Sequence, residues 1–271
     1  MTIEELIIYG KGKIHSDYAK MLLADLIDVN PLELLTMLDK KVDDDIVDIY
    51  KEKVSQVEEK KPVQYVIGNV NFYGSIFKVN KNVLIPRFET EELVDNTINY
   101  IDSFFDLENL DIIDLGTGSG CIAITLKHKL PNSNIDAVDI SSDALEVAKE
   151  NAKLNNVDIN FYQGDMLCTN KKYDCIISNP PYIRYDEEVM DIVKNNEPNS
   201  ALYADNNGLY FYEEILKKAS NYLNDKYYIF FEMGYDQGES IKNIALKYLD
   251  CNVEIKKDLQ GFDRYVIITN K

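Results

Sequence analysis

The spacing of apolar residues divides the chain into three stretches. Up to about residue 61 they recur at helical intervals. Tyr18, Met21, Leu22 and Leu26 follow Ser16 and Asp17, Asn30-Pro31 has the order of an N-cap and a first helical residue, and the pattern continues from Asp43 to Val57. The apolar positions here are few, which predicts a small helical domain that packs on itself and leans on the following segment. From residue 62 to 84 β-branched and aromatic residues take over, with Asn71-Phe72-Tyr73-Gly74-Ser75 as the turn of a linking β-hairpin.

From residue 85 to 271 short apolar runs alternate with helical spacing. Glu89 to Ile101 reads as a helix with Val94 and Ile98 on its inner face. Strands are predicted over 110–115, 134–140, 159–163, 173–178, 227–232, near Val253 and over 264–269, with helices over 209–223 and 237–249. Ser141 reads as the N-cap of a further helix that carries Ala144, Leu145, Val147 and Ala148. Strands alternating with helices predict an α/β domain, and Gly261 between the last two strands suits an antiparallel pair.

Chemistry gathers at the ends of these strands. The first runs into Gly116-Thr117-Gly118-Ser119-Gly120, where the backbone can turn sharply and approach a ligand. The third glycine of a dinucleotide fingerprint would fall on Cys121, and no Gly-Lys-Ser/Thr follows, so neither the NAD pattern nor a P-loop fits. With Asp114 just ahead, the loop suits a ligand bearing positive charge better than a pyrophosphate. The second strand ends in Asp139, about where a doubly wound fold places a ribose-binding acid, and the third leads to Gly164-Asp165-Met166. Taken singly, Asp139 or Asp165 is more often a helix cap or turn residue.

The fourth strand ends in Asn179-Pro180-Pro181-Tyr182. The Asn side-chain oxygen and the Pro180 carbonyl are both acceptors, neither Pro has an N–H to compete, and two adjacent acceptors suit a planar NH2 group. The prolines fix φ at successive positions and bias Asn179 away from the helical region, so the acceptors are set before anything binds. Tyr182 adds a flat face. Read alone, the same residues equally mark a turn.

Composition narrows the classes. A net charge of −18 opposes binding to nucleic acid through phosphates, and residues 1–75, with 14 acidic against 9 basic side chains, are no more basic than the rest. His15 and His128 are the only histidines, and Cys121, Cys168, Cys175 and Cys251 have neither metal-site nor disulfide spacing, so no metal is expected. No G-x-S-x-G elbow occurs. Without a signal-peptide pattern or an apolar run near eighteen residues, a cytoplasmic protein with no membrane partner is predicted.

The set Asp114 to Gly120, Asp139, Gly164-Asp165 and Asn179 to Tyr182 resembles class I S-adenosylmethionine-dependent methyltransferases of the amino-methylating kind. More narrowly, Pro62 to Gly68, Phe72-Tyr73-Gly74, Val83 to Glu91 and Asp258 to Arg264 resemble the HemK-type release-factor glutamine methyltransferases. The resemblance implies a Rossmann-like sheet of seven strands with the seventh antiparallel beside the sixth, and an N-terminal helical domain that docks substrate. It implies S-adenosyl-L-methionine as methyl donor, with S-adenosyl-L-homocysteine as product, and class I peptide chain release factors as protein substrates of a monomeric enzyme. Asn179 and Pro180 would hold and orient the target glutamine amide, Pro181 and Tyr182 would complete the substrate site, and Asn179 would also border the donor. Gly116, Thr117, Gly118, Ser119 and Gly120 would cradle the donor's amino-acid part, with Asp114 ordering the loop, Asp139 on the ribose and Asp165 on the adenine. Met166 covers the adenine or fills the core.

Two positions depart from the family pattern: Phe88 stands where a second proline is usual, and Gln260 where the commoner tail has alanine. Arg87 and Glu89 are expected to pin the hairpin to the sheet. The alternatives are an N6-adenine or N2-guanine nucleic-acid methyltransferase, disfavoured by the charge, and a non-catalytic cofactor-binding scaffold, disfavoured by the intact Asn179 to Tyr182.

Overall fold

The computed structural model describes residues 1–104 and 109–270, which form two compact units, 1–69 with 190–196 and the remainder of the described residues. In the helical unit α1 (Ile3–Lys11) opens with a capping box in which Thr2 and Glu5 satisfy each other's backbone N–H groups. It is followed by α2 (Ser16–Leu26), α3 (Asp44–Glu58) and α4 (Val63–Ile67). Leu6, Leu22, Leu23, Tyr50 and Val54 are fully buried among them, and the Tyr50 hydroxyl donates to the Ala19 carbonyl at 3.2 Å.

Two expectations for this region change. Asn30 does not start an α-helix: its Oδ1 accepts from the Leu32 N–H at 2.9 Å in an Asx turn that leads only to a 3-10 turn over Glu33–Thr36. The β-like run from Pro62 begins as helix α4, because Val63 and Val66 bury against Val54 and Val57 and Gly68 ends the turn in the left-handed conformation. The hairpin proper is β1 (Asn69–Phe72) with β2 (Ser75–Lys78).

Helix α5 (Phe88–Phe104) then leads into β3 (Asp111–Leu115), α6 (Cys121–Lys129), β4 (Asn134–Asp139), α7 (Ser142–Leu154), β5 (Asn160–Gln163) and β6 (Tyr173–Ser178). The single turn α8 (Asp191–Lys194) belongs to the helical unit, and α9 (Tyr210–Ala219), β7 (Leu223–Glu232), α10 (Gly238–Tyr248), β8 (Asn252–Lys257) and β9 (Asp263–Thr269) complete the chain. Among the described residues seven strands make one sheet in the order β5-β4-β3-β6-β7-β9-β8. Strands β3 to β7 are parallel and β9 runs antiparallel between β7 and β8, which is the sheet the resemblance implies.

Successive residues of a strand face opposite sides of a sheet, so a strand covered on both faces is apolar throughout. Ile112, Cys175, Ile177 and Phe230 point to the layer that holds Leu93, Val94 and Ile124, while Ile113, Ile176, Ile229 and Phe231 point to the layer that holds Tyr212, Leu216 and Ile241. No helix among the described residues is long and apolar enough to cross a membrane.

Candidate active site

Register places the chemistry on one edge of the sheet. Leu115 pairs with Val138 and with Ser178, Asp139 with Gln163, and Ser178 with Phe231. The residues that follow, Gly116, Asn179 and Glu232, therefore leave the parallel strands side by side with Asp139. They do so where the order reverses around β3, the switch point at which open α/β sheets bind ligands.

A cavity of about 330 Å³ opens there. Gly116, Gly118, Asp139, Asp165 and Met166 line it from one side and Asn179 and Pro181 from another. The remaining predicted residues do not line it. Thr117 and Ser119 are buried scaffold: the Thr117 hydroxyl donates to Asp114 Oδ2 at 2.6 Å, and the Ser119 carbonyl accepts from Asn151 Nδ2 at 2.9 Å. Gly120 is the N-cap of α6, pressed against Ile124 and Ala148. Pro180 is buried, and Tyr182 is half-buried against the core with its hydroxyl pKa raised by desolvation.

The loop is fixed before any ligand arrives. Gly116 and Thr117 both donate to the Val138 carbonyl at 2.9 Å. Asp139 Oδ2 accepts from Gly118 N–H at 2.8 Å and its Oδ1 from Ser141 N–H at 2.9 Å, while burial, the larger effect, raises its pKa. Asp114 orders the loop through Thr117 but does not present charge to the cavity; complete burial pushes its carboxyl up to about 7. Met166 lines the cavity and also touches the core, in a left-handed conformation (φ 52°) that costs a residue with a Cβ about 1 kcal/mol.

The segment from Asn179 is held on both sides. Ser178 Oγ donates to the Leu115 carbonyl at 2.6 Å, Gln237 Nε2 donates to the Tyr182 carbonyl at 2.9 Å, and Ile183 bridges Tyr203. Behind Asn179 lies a buried chain in which Nδ2 donates to Thr90 Oγ1 at 3.1 Å and the Thr90 hydroxyl donates to Glu232 Oε2 at 2.8 Å. Burial pushes the Glu232 carboxyl up to about 7, against the lowering effects of Thr90, Arg264 and Asn179. Neither Thr90 nor Glu232 was singled out for chemistry from sequence, although Glu232 closes a strand as Asp139 does.

Arg87 does not pin the hairpin. Its Nη2 donates to Glu197 Oε1 at 2.5 Å, and Ile85 N–H donates to Glu197 Oε2 at 3.1 Å, which fixes the segment whose Asn82, Val83 and Leu84 form a further cavity wall. Glu89 does reach the sheet, its carbonyl accepting from the Tyr265 hydroxyl at 2.8 Å. Phe88 is exposed as the first residue of α5, a position where proline is also tolerated, and Gln260 Nε2 lies 3.4 Å from Glu89 Oε1.

Residues 90–208 match the family model described as Methyltransferase small domain, and residues 15–68 the one described as PrmC N-terminal domain. The release factor glutamine methyltransferase of Flavobacterium psychrophilum is 38% identical over 265 residues, 96% of this chain and 93% of that protein. That of Bacillus subtilis is 40% identical over 242 residues, 86% and 84% of the two chains. The crystal structure of a methyltransferase from Pyrococcus furiosus has the same fold, with a TM-score of 0.55 at 17% identity over 73% of this chain and 90% of its own. Spread over almost the full length, that likeness makes this chain a member of the release factor glutamine methyltransferase family.

Proposed function

We propose that this protein transfers a methyl group from S-adenosyl-L-methionine to the side-chain amide nitrogen of the glutamine in the Gly-Gly-Gln loop of class I peptide chain release factors. The observation that carries the reading is the tethered Asn179 amide at the edge of the glycine-loop cavity. Its Nδ2 is committed to Thr90, which leaves Oδ1 as the open acceptor beside Pro180.

The cavity suits a nucleoside-sized donor. At about 330 Å³ it falls within the range of small-molecule sites, and a Cβ at Gly116 or Gly118 would meet no protein atom, leaving room against the backbone. Each Asp139 oxygen, already bonded to one backbone N–H, keeps a lone pair for a ribose hydroxyl. Asp165 would take the adenine amino group, with Met166 against the ring, and the loop would hold the amino-acid part at Gly116 and Gly118, the two of its residues that line the cavity. When bound, S-adenosylmethionine supplies an electrophilic methyl group on a sulfonium centre.

An amide nitrogen is a poor nucleophile because its lone pair is delocalised into the carbonyl. Asn179 Oδ1 and the Pro180 carbonyl accept both amide N–H groups, raise electron density on the nitrogen and aim it at the methyl carbon. This is catalysis by orientation and preset dipoles, and no general base is required. Pro181 and Tyr182 close the substrate side. The helical unit, in which Leu32 and Leu35 are exposed apolar side chains, docks the release factor.

The test uses labelled methyl donor with a release factor, with the same factor carrying alanine in place of its loop glutamine, and with duplex DNA and structured RNA. Label is expected in the first alone. Label in nucleic acid and none in the release factor overturns the proposal.

A further inference from the structure

We propose that the charge of Glu232, felt both directly and through Thr90, sets the polarity of the Asn179 amide and thereby switches the site between a form that accepts the substrate amide and one that cannot. The inference rests on the glutamine-amide reading above and adds two positioning residues, neither of which touches substrate.

The argument is proton counting along a buried chain. Ionised Glu232 can only accept, so the Thr90 hydroxyl gives it the proton across 2.8 Å. Thr90 Oγ1 is then an acceptor only, and what Asn179 offers it across 3.1 Å must be an N–H. The Asn179 oxygen is thereby the end left for substrate. Protonated Glu232 reverses every step: its O–H donates to Thr90, the Thr90 proton is freed to donate to the Asn179 oxygen, and the Asn179 NH2 turns outward. That NH2 would face the substrate NH2, donor against donor. The two amide orientations have the same shape, so the reversal needs no backbone movement. Thr90 and Glu232 are both buried away from solvent, so no water competes for the choice.

The surroundings hold Glu232 near its balance point. Arg264 on β9 favours the charge, Glu89 on α5 opposes it, and Tyr265, Tyr182 and Cys121 face it from β9, the loop after β6 and α6. Tyr212 on α9 donates to the Glu232 backbone carbonyl at 2.8 Å and so does not enter the side-chain chain. With burial as the largest effect the carboxyl titrates at about 7.

A purely structural Glu232, tying α5 to β7, would affect folding and leave the pH dependence of transfer alone. The experiment is single-turnover transfer to the release factor at saturating methyl donor, which keeps titration of Asp114 behind the loop out of the readout. The wild-type rate is expected to climb about tenfold per pH unit on the acid side and to level off above about pH 7. Glu232→Gln cannot titrate, and its amide can still turn an oxygen to the Thr90 hydroxyl, so it should lose that acid limb with the donor KM little changed. Thr90→Val, which leaves only the direct pull of Glu232 on the Asn179 NH2, should be slower with a weakened limb, while Thr90→Ser, which keeps the hydroxyl, should recover most of the rate and the limb. A Glu232→Gln profile identical to wild type, or a Thr90→Ser as slow as Thr90→Val, overturns the switch alone. No transfer to the release factor by the wild type overturns it together with the function on which it rests.

Discussion

Asp139 and Asn179 sit in one cavity but are built for separable tasks. Asp139 is anchored by two backbone N–H groups on the donor side, whereas Asn179 is anchored through Thr90 on the acceptor side. Hydrogen bonds to a charged group contribute roughly 1.5–3 kcal/mol each. Asp139→Ala should therefore weaken S-adenosylhomocysteine binding about a hundredfold by calorimetry, where 1.4 kcal/mol is tenfold. Asn179→Ala should abolish transfer and leave that Kd within about threefold. Equal losses of affinity in both variants would contradict this division. The glycines divide similarly. At Gly118 (φ +55°) an added Cβ meets no protein atom, so Gly118→Ala should cost only about 1–2 kcal/mol of folding stability while filling space reserved for the ligand. At Gly208 (φ +81°) the Cβ would lie 2.2 Å from the Tyr182 carbonyl oxygen, so Gly208→Ala should destabilise more and displace the substrate segment. Urea unfolding of the two variants orders them.

The elements of the sheet unit were legible because strands buried on both faces announce themselves as apolar runs between polar helical faces; β3, β4 and β6 lie within a residue or two of the sequence reading. Helix α4 was not, since Val63, Val66 and Ile67 suit either period and only burial beside Val54 and Val57 decides. The same limit hid Glu197 and Glu232. A carboxylate at a strand end or in a loop has no visible partner when that partner lies 110 or 142 residues away. Asp139, Asp165, Met166, Asn179 and Pro181 could be read as cavity residues because each stands beside a motif; the scaffold roles of Thr117, Ser119 and Gly120 appear only once their partners are known. For the segment before α5 this gives an asymmetric prediction. Glu197 is buried and Arg87 about one-third exposed, so Arg87→Ala strands a buried charge and should cost about 2–4 kcal/mol, whereas Glu197→Gln removes that charge and keeps one acceptor, setting its NH2 against one of the two donors, and should cost about 1–2 kcal/mol. Because Asn82, Val83 and Leu84 line the cavity, donor affinity should fall in the same order. Unfolding and binding titrations that ranked Glu197→Gln the more damaging would remove the clamp.

Across the whole molecule, parallel strands that end level on one edge bring carboxylates together in a dry place, and stability must respond to pH. Asp114 and Glu232 are fully buried and both are pushed up to about 7 by desolvation, from ordinary values near 4. An acid whose pKa is raised by folding binds more protons in the native state than in the unfolded chain. Stability from such a group is therefore fully present below the unfolded pKa and is lost as pH rises through the folded one. Each group can lower the unfolding free energy by up to about 1.4 kcal/mol per pH unit between pH of about 4 and 7, and the loss should level off above that. Surface carboxylates paired with lysine, such as Asp17 with Lys20, have pKa values lowered by their partners and push the other way only at the acid end of the window. The expected result is a decline in stability from mildly acidic to neutral pH, read by denaturant unfolding with circular dichroism since the chain has no tryptophan. Asp114→Asn and Glu232→Gln should each flatten part of that slope and the double variant most of it. A wild-type stability that rises steadily from about pH 5 to pH 7 would mean that these two carboxyls are ionised at little cost, and that the edge of the sheet is wetter than its burial implies.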